Sequence, residues 1–231
     1  LAAVGTKVSR QRLDSTHVIS NMAVLTRLGL FCETTRVFLS RLRADHPRLY
    51  GSVPKRLRGR YVKEDGQATG YQDARAAEGR RRLAVCARDV YRLCRRLGHT
   101  AAAQMEEFAL LQRLLEEQCE VVKKKQPLSR SDDDAGEGRV PVVLKEAKEV
   151  SSASLQSPHD PDATYNGRKG KGYEVQVAET CHDDNKVEII THVEVTDACV
   201  SDAQATVPTL DALEARQLQP QELVADTTYG S

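Results

Sequence analysis

The chain has 231 residues, which is enough for one large domain or two small ones with a buried core. Its 34 Lys and Arg residues nearly balance its 33 Asp and Glu residues, so the formal net charge of +1 excludes a globally polycationic nucleic-acid binder and leaves only local basic surfaces. The composition is that of a globular protein, no apolar run approaches the length of a membrane span, and no signal-like segment opens the sequence. We therefore expect a cytoplasmic protein with no membrane partner.

The first predicted element is a strand over residues 10–18, where apolar and β-branched positions alternate. Asp14 lies inside this strand, and it needs a reason to be there because Asp is depleted in strands. After this strand the apolar spacing changes to the helical period of about 3.6 residues. We expect residues 1–20 to contain the first strand of a core and residues 21–122 to form a large helical insertion.

The region after the helices changes composition and then period. Residues 123–139 read KKKQPLSRSDDDAGEGR, with almost no apolar side chains, which predicts a linker or disordered loop over 123–145. The remainder, 146–231, returns to strand-like alternation, and its segments 172–178 and 187–195 predict a β-hairpin.

The end of the chain adds a helix and a short strand. Ser201 and Asp202 suit the N-terminus of a helix, and residues 222–225 form a short apolar strand that ends at Asp226. The order of strand, helical block, linker, two strands, helix and strand predicts an α/β fold with a mixed sheet and a helical insertion after the first strand.

Asp14 and Asp226 are the candidate chemistry-bearing residues because of where they lie in the predicted strands. Carboxylates at strand ends of an open α/β sheet project into a common crevice, and hard cations such as Mg²⁺ take oxygen ligands. Two ions about 3.5–4 Å apart can stabilise both the attacking and the leaving oxygen of a phosphodiester displacement. On position alone a plainer interpretation stays open, in which Asp14 starts a turn and Asp226 merely ends a strand.

Four blocks of the sequence resemble the DDE transposases of bacterial insertion sequences. Residues 12–18 (RLDSTHV) are similar to the first catalytic strand of that family, and residues 157–165 with 170–180 (SPHDPDATY and GKGYEVQVAET) are similar to its next strand. Residues 190–196 (ITHVEVT) continue the resemblance, and residues 223–231 (LVADTTYGS) resemble the segment of the second catalytic Asp. The blocks occur in the family's order and cover most of the chain.

The resemblance implies an RNase H-like domain in which two Asp and one Glu hold two Mg²⁺ or Mn²⁺ ions. Asp14 matches the first acid and Asp226 the second, so these are the expected catalytic and metal-ligating residues. The third acid, a Glu on a later helix, has no matching position up to Ser231, and the family's N-terminal DNA-binding helices have none before Leu1. We therefore expect a fragment that is inactive alone.

The activity implied is DNA transposition, by metal-dependent phosphodiester hydrolysis at the transposon ends and strand transfer to target DNA. The expected partner is double-stranded DNA at the bacterial nucleoid, and the expected assembly is a homo-oligomer. Arg168, Lys169 and Lys171 are candidates for contact with the DNA backbone. Two alternatives stay open: a non-catalytic DNA-binding or assembly module from a decayed transposase gene, and a metal-dependent nuclease unrelated to transposition.

The helical insertion is rich in arginine. The basic stretch 54–63 and the arginines between residues 80 and 96 would neutralise phosphates if they share a face. The other interpretation is a solvated helix face paired with acidic side chains of the next helix, and the sequence favours neither.

Overall fold

The computed structural model describes residues 5–19, 25–122 and 140–230. The chain divides into two compact units, which we call the sheet unit (Leu1–Asn21 and Asp162–Ser231) and the helical unit (Met22–Pro161). The change of apolar period at residue 21 therefore coincides with the first boundary between them.

The elements are numbered in chain order. The strands are β1 (Arg10–Ile19), β2 (Cys119–Val121), β3 (Val142–Leu144), β4 (Thr164–Asn166), β5 (Gly170–Thr180), β6 (Ile190–Asp197) and β7 (Glu222–Val224). The α-helices are α1 (Arg27–Asp45), α2 (Pro47–Ser52), α3 (Lys55–Arg58), α4 (Ala76–Leu97), α5 (Glu106–Gln118) and α6 (Asp202–Ala215), and short 3₁₀ turns cover Ala101–Gln104, Ala147–Glu149 and Thr227–Gly230. Within the described ranges, no helix combines the length and the apolar character that crossing a membrane requires.

The sheet unit contains one mixed sheet of five strands. β5 pairs antiparallel with β1 along one edge and antiparallel with both β4 and β6 along the other, while β7 pairs parallel with β1. The predicted mixed α/β fold and the predicted hairpin, here β5 and β6, are confirmed. β4 was not predicted, because three residues are too few to show a period.

The two faces of the sheet differ in what covers them. Leu13 of β1 packs with Ala178 of β5, Leu213 of α6 and Tyr229 in a small core, so α6 covers this face. Side chains alternate between faces along a strand, so Asp14 lies on the opposite face, where it is exposed. Besides Asp14, that face carries exposed apolar side chains, those of Val18, Val193 and Val195.

The helical unit is built on α1, α4 and α5 around a core with aromatic rings at its centre. Phe31, Phe38 and Phe108 are fully buried, and the ring centroids of Phe38 and Phe108 lie 5.7 Å apart. Leucines from the three helices fill the space around the rings: Leu39, Leu42, Leu93, Leu97, Leu111 and Leu114. Most of this region is helical, as the apolar spacing predicts.

A buried carboxylate joins α4 to the chain after α3. Asp89 has no exposed surface, and it accepts two hydrogen bonds from the Arg60 guanidinium, at 2.8 and 3.0 Å, and one from the Tyr61 hydroxyl at 2.8 Å. These hydrogen bonds raise the pKa of Arg60 against the opposing effect of its burial. Because Arg60 and Tyr61 both donate hydrogen bonds to Asp89, this carboxylate fixes the segment around Arg60 against α4.

The chain after α5 differs from the sequence prediction. The apolar spacing predicts a helix up to residue 122, whereas α5 ends at Gln118 and β2 pairs antiparallel with β3. The β-branched residues Val121 of β2 and Val142 and Val143 of β3 favour extended backbone. The end of the predicted 123–145 linker is therefore a strand, and the prediction for 123–139 lies outside the described residues.

Residues 146–161 belong to the helical unit, although the sequence order suggests that they begin the second part of the α/β core. Arg113 of α5 holds this segment by donating to the carbonyl oxygens of Pro161 at 2.7 Å and Ala153 at 3.1 Å. Leu155 is fully buried in the helical core. These contacts join residues that are 40 or more positions apart, so the periodicity of the sequence does not predict them.

We expect Asp89→Ala to destabilise the helical unit by about 3–5 kcal/mol, since it leaves the Arg60 guanidinium half-buried without its carboxylate. Urea unfolding followed by circular dichroism measures this loss. Asp45→Ala is the control, because Asp45 forms only a surface pair with Arg41 and its loss should cost less than about 1 kcal/mol. Equal losses in the two variants would contradict the role given to Asp89.

Candidate functional site

Asp14 lies in the middle of β1, and Asp226 follows the end of β7, the strand that pairs with the start of β1. The parallel register runs from Arg10 opposite Glu222 to Arg12 opposite Val224. Asp14 lies two residues beyond Arg12, and Asp226 lies two residues beyond Val224. Adjacent strands are about 4.8 Å apart, so the parallel register directs the chain after β7 toward the part of β1 that contains Asp14. β1 and β7 are therefore neighbours in the sheet.

Both carboxylates are exposed, and each accepts hydrogen bonds from a residue one or two positions later in the sequence. Asp14 accepts a hydrogen bond from the Ser15 N–H at 2.8 Å. Asp226 accepts one from the Thr228 N–H at 2.9 Å and another from the Thr228 hydroxyl. These hydrogen bonds, together with a weaker contribution from the charge of Lys169, lower the pKa of Asp226 below its ordinary value. Asp226 is therefore an anion with a fixed orientation at neutral pH.

A third carboxylate, that of Asp202, lies next to Asp226. Asp202 is the first residue of α6, and its Oδ2 is 3.0 Å from the Thr228 hydroxyl, which also contacts Asp226. The sequence identifies Asp202 only as an acid in the first turn of a helix. The signal for its position is the capping box of Ser201 and Gln204, which fixes where α6 begins.

A buried charge cluster lies on the face that α6 covers, and the sequence interpretation did not anticipate it. Glu174 of β5 is 1% exposed. Its carboxylate lies 3.2 Å from Nδ1 of His17 on β1, and it also accepts a hydrogen bond from the Lys169 ammonium. The sequence does carry a sign of this cluster. Along β5 the polar residues 174 and 176 are buried, whereas the more apolar 173, 175 and 177 are less buried, which inverts the usual alternation.

Tyr229 connects this covered face to the three acids. Its ring is buried, and its hydroxyl donates a 2.7 Å hydrogen bond to Oε1 of Gln176. Burial raises the pKa of Tyr229 to about 12, and the charges of Asp202, Asp14 and Asp226 act in the same direction against a hydrogen bond with Ser15. Tyr229 therefore stays protonated at neutral pH, and the negative charges of the three carboxylates favour this form.

The residues that the sequence predicts as metal ligands form only part of a metal site. Carboxylate oxygens are the donors that Mg²⁺ and Mn²⁺ prefer, and Asp14 in β1 and Asp226 after β7 each supply a carboxylate. However, over residues 5–19, 25–122 and 140–230 no three His, Cys, Asp or Glu side chains form a group that could hold a metal ion. The donor chemistry suits the ion, but these residues do not fit a two-ion cluster by themselves.

The three predicted DNA contacts lie in or beside the turn from β4 to β5. Arg168 is exposed, and its N–H and that of Lys169 donate to the Asn166 side-chain oxygen at 2.9 and 3.0 Å. The Lys169 ammonium is engaged with Glu174, and Lys171 is half-buried, which lowers its pKa. Of the three, Arg168 is the most exposed to an approaching phosphate.

We expect Tyr229→Phe to destabilise the sheet unit by about 1–3 kcal/mol at pH 7, because it deprives the fully buried Gln176 of a donor. Below about pH 10 the contribution of Tyr229 is fully present, and it is lost as the pH rises from about 10 to about 12, because the unfolded chain ionises first. The difference between wild type and variant should therefore shrink over this range in urea unfolding. Tyr165→Phe, at an exposed tyrosine of β4, is the control and should show neither effect.

We expect Thr228→Ala to raise the pKa of Asp226 toward its ordinary value, since the Thr228 hydroxyl is the largest cause of the lowered pKa. Carbon-13 NMR titration of the aspartate carboxyl groups measures the change. Thr227→Ala is the matched control, because the hydrogen bonds to Asp226 described above come from Thr228 and not from Thr227. A pKa of Asp226 that is the same in wild type and Thr228→Ala would show that another group sets it.

Comparison of the chain with protein-family models, with curated proteins and with solved structures found no match.

Proposed function

We propose that this chain is part of a DDE transposase, which carries out DNA transposition by metal-dependent phosphodiester hydrolysis at the transposon ends and strand transfer to target DNA. The observation that carries the proposal is the parallel pairing of β1, which contains Asp14, with β7, which ends two residues before Asp226. This pairing supports the convergence that the resemblance implies for its first two acids.

The architecture supports an RNase H-like interpretation of the sheet unit. The sheet is mixed, β1 and β7 are neighbours in it, and the helical unit enters the chain between the first strand and the hairpin. The role we propose for Asp14 and Asp226 is to hold a divalent cation, Mg²⁺ or Mn²⁺, together with a Glu from a later helix. Such an ion stabilises the charge that develops in phosphodiester displacement.

The proposed partner is double-stranded DNA, and the proposed assembly is a homo-oligomer acting at the bacterial nucleoid in the cytoplasm. Arg168 is the side chain of the sheet unit that we propose as a phosphate contact, because it is exposed in a turn that Asn166 fixes. Electrostatic contacts of this kind release counterions from DNA, so binding should weaken steeply as salt increases.

The second candidate function is a non-catalytic DNA-binding or assembly module. The observation that favours it is the incomplete ligand group around Asp14 and Asp226 in the described residues. A module of this kind needs basic surface but no metal, so mutation of Asp14 would leave its function intact.

The test is a nicking assay on duplex DNA that carries the repeats flanking the gene, with and without Mg²⁺. We expect the 231-residue chain to bind this duplex but not to cut it at a useful rate, and a chain extended through a downstream Glu to nick it. In the extended chain, Asp14→Asn should reduce Mg²⁺-dependent nicking on the order of 100-fold or more, since the reaction depends on charge stabilisation at this position.

Asp211→Asn is the matched control, because Asp211 is an exposed acid on α6 of the same unit and lies outside the proposed site. Nicking that Asp14→Asn and Asp211→Asn affect equally would reject the enzyme in favour of the binding module. Robust nicking by the 231-residue chain, abolished by Asp14→Asn, would show that a carboxylate within these residues completes the site.

A further inference from the structure

The strongest feature outside the sheet unit is a pocket of about 380 Å³ in the helical unit. One wall is a stripe along α4 from Glu78 to Arg92, and the other comes from the chain around α3 and from the ring of Tyr71. Six arginines line it: Arg56, Arg60, Arg81, Arg82, Arg88 and Arg92.

The spacing of α4 explains why its arginines converge. Residues three, four or seven apart share one face of a helix, and Arg81, Arg88 and Arg92 follow this spacing around the buried Val85. The sequence leaves open whether these arginines form a solvated face or a binding surface. The structure places them in a concavity opposite a second basic segment, which brings like charges close together.

Contacts within the protein anchor several of these arginines, among them Arg60, Arg82 and Arg92, whose guanidinium lies 3.6 Å from the Asp89 carboxylate. Arg60 is bound by the buried Asp89, and Arg82 donates to the carbonyl oxygen of Tyr71 at 2.8 Å and to the carboxylate of Glu78 at 2.7 Å. The guanidinium of Arg82 also lies 4.9 Å from the centroid of the Tyr71 ring. These contacts hold the walls in place before any ligand arrives, which lowers the entropic cost of binding.

Positive charge predominates among the residues that line the pocket. Six of the ten are arginines, and Glu78 is the one acid among them. A concentration of like charge in a concave site is unfavourable by itself and attracts a multiply charged anion. Guanidinium groups match phosphate oxygens with paired hydrogen bonds, and the volume lies in the range of small-ligand sites, about 300–1,000 Å³.

The lining also limits the chemistry of the ligand. Val85 and the ring of Tyr71 are the only large apolar groups among the residues that line the pocket, so it offers little surface to a lipid or to an apolar metabolite. We propose that this pocket binds phosphate groups, at a site separate from Asp14 and Asp226 and independent of the transposase proposal. The phosphates could come from a free polyphosphate or from a nucleic-acid backbone, and the two sources share the chemistry of recognition.

Isothermal titration calorimetry of the full chain with inorganic tripolyphosphate, and fluorescence anisotropy with a labelled 20-base-pair duplex, test the proposal and separate the sources. The variant is Arg81→Glu, and its matched control is Arg80→Glu, because Arg80 is the exposed neighbour on α4 that does not line the pocket. We expect Arg81→Glu to weaken binding of at least one probe about tenfold or more, the scale of one lost charge-assisted hydrogen bond, and Arg80→Glu to weaken it less than about threefold.

Loss of tripolyphosphate binding in Arg81→Glu but not in Arg80→Glu identifies a compact polyphosphate site. The same difference with the duplex alone identifies a site for the nucleic-acid backbone, which also supports the proposal. Arg56→Glu with Lys55→Glu forms a second pair on the opposite wall, so the test does not depend on the folding of one variant. The proposal is overturned if neither probe binds. It is also overturned if, in both pairs, substitution of the pocket arginine weakens binding no more than substitution of its neighbour.

Discussion

The sheet unit depends on Gln11, a fully buried side chain whose amide joins three separate parts of the chain. Its Nε2 donates to the carbonyl oxygens of Val8 at 3.1 Å and Leu218 at 2.6 Å, and its Oε1 accepts a 2.6 Å hydrogen bond from the Thr191 hydroxyl. A buried amide that is satisfied in this way resists displacement, because any shift leaves polar atoms without partners. Gln11 therefore links β1 to β6 and to the loop that leads into β7.

The relation of Asp14 to Asp226 follows from that link. β7 has only three residues, and a strand so short could pair in more than one register. A slip of one residue would turn Val224 to the other face and carry Asp226 away from Asp14. The contact with Leu218, and the hydrogen bonds that Ser9 accepts from Gln221 at 2.8 Å and Glu222 at 3.0 Å, favour the observed register. The proximity of the two acids is thus a result of polar contacts at the start of β7.

Elements with a long and regular pattern could be predicted from the sequence, whereas contacts between distant segments could not. β1, the hairpin of β5 and β6, and α4 carry repeated periods, so local spacing identifies them. The pairing of β2 with β3 spans 123–139, and three residues on each side give no period. The two catalytic candidates could be chosen from their place in predicted strands and from the resemblance. The burial of Glu174 with Lys169, and the shared contact of Asp202 and Asp226 with Thr228, depend on how the elements pack, which spacing does not reveal.

The interruption of the sheet by a whole helical unit has a consequence for synthesis on the ribosome. Gln11 and its partner Leu218 are 207 residues apart, whereas the helical unit is one continuous stretch of chain. At a translation rate of about 5–20 residues per second, β1 is made roughly ten seconds or more before the loop that fixes it emerges. During that interval Met22–Pro161 can complete its own core, while the first strand waits with its hydrogen-bonding edges unpaired. The nascent chain therefore needs protection at β1 long after this strand has left the exit tunnel.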